Sequence, residues 1–295
     1  MVLKVKDLYK QYPKSERFAL KNVSFTIDDG EIVGLVGRNG SGKTTLLKIL
    51  IKALRPTKGE IIYKGQSLWS RSNQLKNLGA LIRPVFYDHL TVLENLHFYL
   101  TIHQSEKFKN NIESILKLVD LWDNRKDKPS TFSFGMKQRL SLAMSLLTEP
   151  TFLVLDEPFV GLDPDGVKKL IKILNEARLE HQATMIISSH QLNELESICQ
   201  RYLFIENGQL NELASEKSGS YDILLAEEIQ LRNFFDTHVL NFLTYKTEKN
   251  LLSINQSINQ EDLNNILFSL AQKQLIKSFA LNSRLDKYFE GDDHN

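Results

Sequence analysis

The nine residues GRNGSGKTT, Gly37 to Thr45, restrict the fold of this chain more than any other stretch. They follow the apolar run EIVGLV and lead into a segment, Thr44 to Leu54, whose Leu46, Leu47, Leu50 and Leu54 recur with helical period until Arg55 and Pro56 stop it. Strand, glycine loop and helix in that order match GxxxxGK[S/T] in the context that gives the pattern its meaning. Glycine lets the main chain curl so that its N–H groups turn inward, and the helix that follows presents its positive end, so the segment is built to hold phosphate. Gly37, Arg38, Asn39, Gly40, Ser41, Gly42, Lys43, Thr44 and Thr45 are therefore the candidate cradle for a nucleoside triphosphate. In it Lys43 neutralises the β and γ phosphates, and Thr44 offers its hydroxyl oxygen to a bridging Mg²⁺.

A second motif completes the first. FLVLDEP, residues 152 to 158, is an apolar strand that delivers Asp156 and Glu157 at its C-terminal end, where parallel α/β sheets bind ligands. Alone it reads equally well as a strand followed by a turn. Adjacent residues on a strand face opposite ways unless the strand has ended, so the two acids take different work. Asp156 is the candidate Mg²⁺ ligand, directly or through water, and Glu157 the group that polarises an attacking water.

The rest of the chain is consistent with a nucleotide-handling α/β protein. Its 295 residues suggest one large domain and a smaller one. With 37 Lys and Arg against 36 Asp and Glu, bulk charge draws it to neither nucleic acid nor anionic lipid. The single cysteine, Cys199, lies in a helix-like stretch without a second thiol or histidine at ligand spacing and reads as structural. The start MVLKVKDLYKQY lacks the pattern of a secretory signal, and no run approaches the roughly 20 apolar residues that cross a bilayer, so a cytosolic location is expected. Short strands fill the first 36 residues. Helical spacing runs from about Leu90 to Leu121, opened by a Thr91/Glu94 capping box. TFLVLDEP and ATMIISSH flank the helical VKKLIKILNEARLE in the rhythm of a helix-covered parallel sheet. After a polar stretch, NELASEKSGS, a second unit reads as strand YDILLA, helix EEIQLRNFF, strands FLTYKTEK and NLLSINQ, helix EDLNNILFSLAQK, strand IKSFALNS and helix RLDKYFEG, a ferredoxin-like pattern without a catalytic motif.

Beyond the two nucleotide motifs stand SFGMKQR (Ser133 to Arg139), GLDP (Gly161 to Pro164) and IISSH ending at His190. In order and spacing this set resembles the ABC transporter ATPases over residues 1 to about 215. The residues themselves make Ser133 and Gly135 the lead-in to a helix with Met136, Leu140, Met144 and Leu147 on one face, whose N-terminus suits a phosphate. The resemblance implies an α/β fold: a P-loop NTPase core with an antiparallel β subdomain and a helical subdomain at about 84–150, with a small α+β C-terminal domain at 216–295. SFGMKQR looks like a divergent form of the family's signature sequence that keeps Ser133, Gly135 and Gln138, which implies that Ser133 and Gly135 hold ATP bound to a second subunit. The same likeness makes His190 the histidine that contacts the γ-phosphate, sets Asp163 at the dimer interface and has Tyr12 stack on adenine. It also implies ATP and Mg²⁺ as cofactors. The partners would be a second ATPase subunit, identical or a close paralogue, and a transmembrane permease, with no nucleic acid. The chain would sit on the inner face of the membrane through that permease.

One position departs from the family's pattern. Where these ATPases carry a glutamine that joins Mg²⁺ to the membrane subunit, this chain reads LGALIRPVFYDHLTV, with Arg83 as the nearest polar residue. A cation beside Mg²⁺ is repelled, so Arg83 does not inherit the role. Together with FSFGMKQRLSLAMSLL, this stretch resembles the branch that exports peptides and drugs, including bacitracin-resistance and lantibiotic-immunity pumps, which carry a carboxylate in this loop. Two competing readings fit less well. An ATPase acting on nucleic acid or the ribosome usually has two cassettes or a long coiled coil between Lys43 and Ser133, and neither pattern is in the sequence. A regulatory module with a dead site would have lost Glu157.

Overall fold

Alternation and apolar runs near the N-terminus become strands that pair into two sheets. In the computed structural model, which describes residues 2–70, 75, 77–82, 86–213, 220–231, 234–255 and 258–282, these strands are β1 (Leu3–Gln11), β2 (Phe18–Ile27) and β3 (Ile32–Val36). There follow α1 (Lys43–Leu50), β4 (Lys58–Tyr63), β5 (Gln66–Ser67), β6 (Leu78–Leu81), α2 (Val92–Ile102), α3 (Asn111–Leu118) and α4 (Phe134–Leu146). The first unit closes with β7 (Phe152–Asp156), α5 (Pro164–His181), β8 (Thr184–Ser188), α6 (Leu192–Glu196), β9 (Arg201–Glu206) and β10 (Gln209–Leu213).

An antiparallel sheet runs β2-β1-β4-β5, and a six-stranded sheet runs β10-β9-β3-β8-β7-β6, parallel except for β10. Strands covered on both faces must be apolar throughout. Accordingly, every residue of β3 and β8 is buried, and so are the first four of β7. Leu8 and Leu20 of the antiparallel sheet share one core with Val33, Leu46, Leu50, Phe152 and Ile186. Cys199 lies beside Gly34 in this unit, and burial pushes its thiol pKa up, so it stays a neutral packing group.

In the first unit the helical expectations hold with three changes. Helix α1 ends at Leu50 rather than Leu54, because Lys52 turns left-handed (φ 63°) in a Schellman motif, in which Ala53 N–H donates to the Lys48 carbonyl (2.9 Å) and Lys52 N–H to that of Ile49 (3.0 Å). The stretch from Leu90 to Leu121 is two helices, since α2 stops at His103 and Gln104 is left-handed. Its capping box is present: Glu94 N–H donates to Thr91 Oγ1 at 3.2 Å, and Thr91 N–H to Glu94 Oε2 at 2.7 Å. Helix α4 carries no single apolar stripe. Leu140, Leu142, Ala143, Leu146 and the capping Leu147 are all buried, whereas Met136 and Met144 are half-buried, because neighbours enclose the helix on several sides.

The chain divides into two compact units, Met1–Ser215 and Glu216–Asn295. The second holds β11 (Ser220–Leu225), α7 (Thr237–Leu240), β12 (Leu243–Lys246), β13 (Leu251–Asn255), α8 (Gln260–Gln272) and β14 (Ile276–Asn282). Its antiparallel sheet has the order β12-β13-β11-β14 on a βαββαβ chain, a ferredoxin-like arrangement. Of the helix expected over EEIQLRNFF, residues 227–230 are not helical, and a single turn starts at Leu231, whose carbonyl accepts the Phe234 and Phe235 N–H groups at 3.0 Å. Ile229 instead drops into this unit's core, with Leu231, Phe234 and Phe235 packed against it, and Ile229 N–H donates to the Tyr245 hydroxyl at 3.3 Å. Arg83, most of the expected linker and the RLDKYFEG helix lie outside the described residues.

Candidate functional site

Because β3, β8 and β7 are neighbours and parallel, the segments that leave their C-terminal ends emerge side by side. The glycine loop leaves β3 and enters α1 through Gly42, its N-cap, at φ 120°. Only glycine takes that conformation here without strain, and an added Cβ would lie 2.6 Å from the Ala19 carbonyl oxygen. At Gly37 a Cβ would meet the Ile205 carbonyl oxygen, so the loop's tight seat on β9 also requires glycine. Within the loop Ser41 N–H donates to the Arg38 carbonyl (3.1 Å), while Arg38, Asn39 and Gly40 are exposed at its tip.

Lys43 is the first residue of α1 and is only 8% exposed. Its ammonium group donates to the carbonyls of Gly37 (2.5 Å) and Arg38 (3.2 Å). Desolvation lowers its pKa, and the Glu157 and Asp156 charges oppose that shift, so the ammonium faces two carboxylates across the sheet end. Thr44 Oγ1 donates to Asp156 Oδ2 at 2.8 Å, while Ser188 Oγ donates to Asp156 Oδ1. Asp156 and Ser188 sit opposite each other in the β7–β8 register, which aims the hydroxyl at the carboxylate. Tyr12, 40% exposed, brings its hydroxyl within 3.2 Å of Thr45 Oγ1, with the Lys10 ammonium 5.4 Å from its ring centre.

Glu157 follows the last residue of β7 and takes a left-handed conformation, φ 54°. From that turn its carboxylate reaches His190, two residues past the end of β8. Glu157 Oε2 accepts the His190 N–H (3.2 Å) and stands 2.8 Å from His190 Nδ1. The two acids thus occupy different settings, one gripped by two hydroxyls and the other by a histidine.

Ser133 is the N-cap of α4, and its hydroxyl accepts the Met136 N–H at 3.3 Å. Gly135 lies inside the first turn of α4 rather than before it. This turn touches the GLDP loop, since a Cβ on Gly161 would lie 2.8 Å from Gly135 Cα. Phe134, at the same tip, is 68% exposed. Asp163 is exposed and caps α5, accepting the Gly166 N–H at 2.8 Å.

The glycine loop, Tyr12, Asp156, Glu157 and His190 are joined by these contacts, whereas Ser133, Gly135 and Asp163 gather around α4 and α5. Sequence reasoning passed over Ser188, for which a serine ending the apolar run TMIIS was the available signal; Gly161 was read only as the start of GLDP, and its close approach to Gly135 left no mark in the sequence. The donor set fits a nucleoside triphosphate with Mg²⁺. Ser41 Oγ is buried without a hydrogen-bond partner, and the Thr44 hydroxyl and Asp156 carboxylate are hard oxygen ligands of the kind that hold Mg²⁺ together with phosphate oxygens.

The ABC transporter family profile matches residues 20–160. The uncharacterized ABC transporter ATP-binding protein YcbN of Bacillus subtilis (strain 168) is 35% identical over 283 residues, covering 89% of this chain and 90% of that protein. The bacitracin transport ATP-binding protein BcrA of Bacillus licheniformis is 36% identical over 213 residues, covering 72% and 69%. Among solved structures, the dimeric post-hydrolysis ATP-binding cassette MJ0796 bound to ADP and phosphate aligns with a TM-score of 0.64 and 26% identity, over 72% of this chain and 97% of that one. The likeness reaches well past the phosphate loop, and the chain therefore belongs to the ATP-binding proteins of ABC transporters, which bind and hydrolyse ATP to power transport.

Proposed function

We propose that this chain hydrolyses ATP at a site shared with a second ATPase subunit, identical or a close paralogue, and so drives export of a peptide-like compound through a separate permease on the cytoplasmic face of the membrane. The observation that carries the reading is the contact between Glu157 and His190, set beside Lys43, Thr44 and Asp156 at the ends of three adjoining strands. In this reading Tyr12 stacks on adenine and main-chain groups from Gly37 to Thr45 cradle the phosphates, with Ser41 Oγ and the Lys43 ammonium aimed at phosphate oxygens. Thr44 and Asp156 would hold Mg²⁺, which when bound would supply charge neutralisation at the phosphates. Glu157 orients the attacking water and His190 fixes that carboxylate while reaching the γ-phosphate. Ser133, Gly135 and Asp163 meet the second subunit.

The test is size exclusion with ATP. Glu157→Gln removes the water-polarising group, which is worth about 10²–10⁴ in rate, and should accumulate a closed ATP-bound dimer. A variant that stays monomeric at saturating ATP would sink the shared site.

The permease contact is proposed at an apolar cavity of about 430 Å³ bounded by α1, β6, α2 and α4. Tyr87, Phe98 and Ile102 line it with exposures of 47%, 39% and 57%, unusual for large apolar side chains. Ile82 and Phe86, also in its lining, bracket Arg83 in the sequence, and the family's corresponding loop faces the membrane subunit. Phe98→Glu should abolish co-purification with the permease while leaving basal hydrolysis intact; unchanged co-purification would refute the site. The peptide class follows from the bacitracin relative and from the resemblance of ALIRPVFYDHLTVLENL to its branch. Cells carrying the chain and its permease should export or resist a bacitracin-like peptide, and Lys43→Met should remove that resistance.

A further inference from the structure

The polar side chain that reaches the catalytic loop from α4 is Gln138. It is 8% exposed, five positions beyond Ser133, and its Nε2 donates to the Glu157 carbonyl at 3.2 Å. Glu157 pays a conformational penalty for its left-handed backbone, and such residues keep that shape when their surroundings over-determine it. Three bonds do so here. Glu157 N–H donates to the Ser188 carbonyl (2.9 Å), Val160 N–H to the Glu157 carbonyl (3.3 Å), and Gln138 supplies the third. The first comes from β8 and the second from the loop itself, whereas the third comes from the helix whose tip carries Ser133. Next to it, Gly161 and Gly135 approach so closely that neither main chain has room to move independently.

We propose that Gln138 is a positioning residue that couples the nucleotide held by the second subunit to this chain's own Glu157, through the Gln138 Nε2–Glu157 carbonyl bond. The inference rests on the reading of Ser133 as the contact to that nucleotide and of Glu157 as the group acting on water. When phosphate engages the tip of α4, the helix sets the Glu157 main chain, and with it the direction of the carboxylate towards His190. Hydrolysis in one site then depends on engagement of the other. Each chain reads its partner's nucleotide before committing its own.

The experiment uses the full-length chain with Mg²⁺ and ATP. Gln138→Met keeps the volume and removes the donor. It should lower kcat about five- to tenfold, the rate equivalent of one lost hydrogen bond, with KM for ATP changed less than about twofold. In a Glu157→Gln background it should still form the ATP-bound dimer. Gln138→Glu should match Gln138→Met near pH 8, and should recover relative to it as pH falls towards about 5.5, because a neutral carboxyl regains an O–H donor. Everything but residue 138 is common to the two variants, so their ratio isolates that position. Wild-type kcat in Gln138→Met, a flat ratio across pH, or a kcat loss matched by a KM rise would overturn the proposal. If Glu157→Gln alone retained full hydrolysis, the reading of Glu157 would fall instead, and the two failures are told apart by that control.

Discussion

Replacing Ser188 by alanine removes a hydroxyl that is fully buried at the end of β8 and donates to Asp156 Oδ1. The change creates almost no cavity, so its cost is that of a hydrogen bond to a charged acceptor, about 1.5–3 kcal/mol. For a unit spanning Met1–Ser215, a loss of that size corresponds to a fall of about 3–12 °C in melting temperature. The functional consequence runs through Asp156, which keeps its bond from Thr44 Oγ1 at 2.8 Å but can now rotate about it. Partners that orient a metal ligand typically contribute about 10–100-fold in metal affinity or activity. Thermal melting by differential scanning fluorimetry and an Mg²⁺ titration of ATPase rate read the two effects separately. A double-mutant cycle with Asp156→Asn then apportions them, since Ser188→Ala should add little once the carboxylate is gone. The reasoning fails if Ser188→Ala shifts neither the melting temperature nor the Mg²⁺ dependence, or if its effect is fully additive with that of Asp156→Asn.

Gly161→Ala places a methyl group 2.8 Å from Gly135 Cα at a φ of +80°, so strain and overpacking together should cost about 2–4 kcal/mol; chemical denaturation of the full chain would register it, and a stable variant would mean that the loop shifts freely. Lys43→Met should abolish ATP binding by calorimetry. It also exposes a pH effect with a defined sign: burial sets the folded Lys43 pKa below its ordinary 10.5, so between those two values the unfolded chain binds more protons and stability rises with pH. Wild type without nucleotide should therefore gain stability relative to Lys43→Met as pH climbs towards 10.5, and the opposite slope would contradict the buried-charge account. Tyr12→Ala should weaken ATP binding about three- to tenfold, the worth of an aromatic contact, while Tyr12→Phe keeps the ring and stays near wild type; equal losses in both would assign the effect to the hydroxyl bond with Thr45.

What could be read from the sequence was whatever neighbours along the chain determine. A strand, three glycines, a lysine and a helix lie within 20 residues of one another, and the local conformation alone decides what they do. Thr91 and Glu94 specify a capping box for the same reason. What escaped depends on contacts far apart in sequence. Ser188 matters because β7 and β8 pair in the register that sets it opposite Asp156, and no spacing within TMIISSH reports that register. EEIQLRNFF carries enough apolar residues for a helix, yet residues 227–230 are not helical, and the core of their unit takes Ile229 and packs Leu231, Phe234 and Phe235 against it, so tertiary demand overrides the local pattern. Glu157 joins both kinds of information. Its identity as the second acid after a strand was legible, but its use depends on a left-handed turn that local sequence disfavours and that bonds from β8, its own loop and α4 hold in place. A catalytic group whose backbone is held from separate elements is sensitive to the arrangement of all of them. With the shared site proposed above, that sensitivity would let the carboxylate serve as a checkpoint as well as a base.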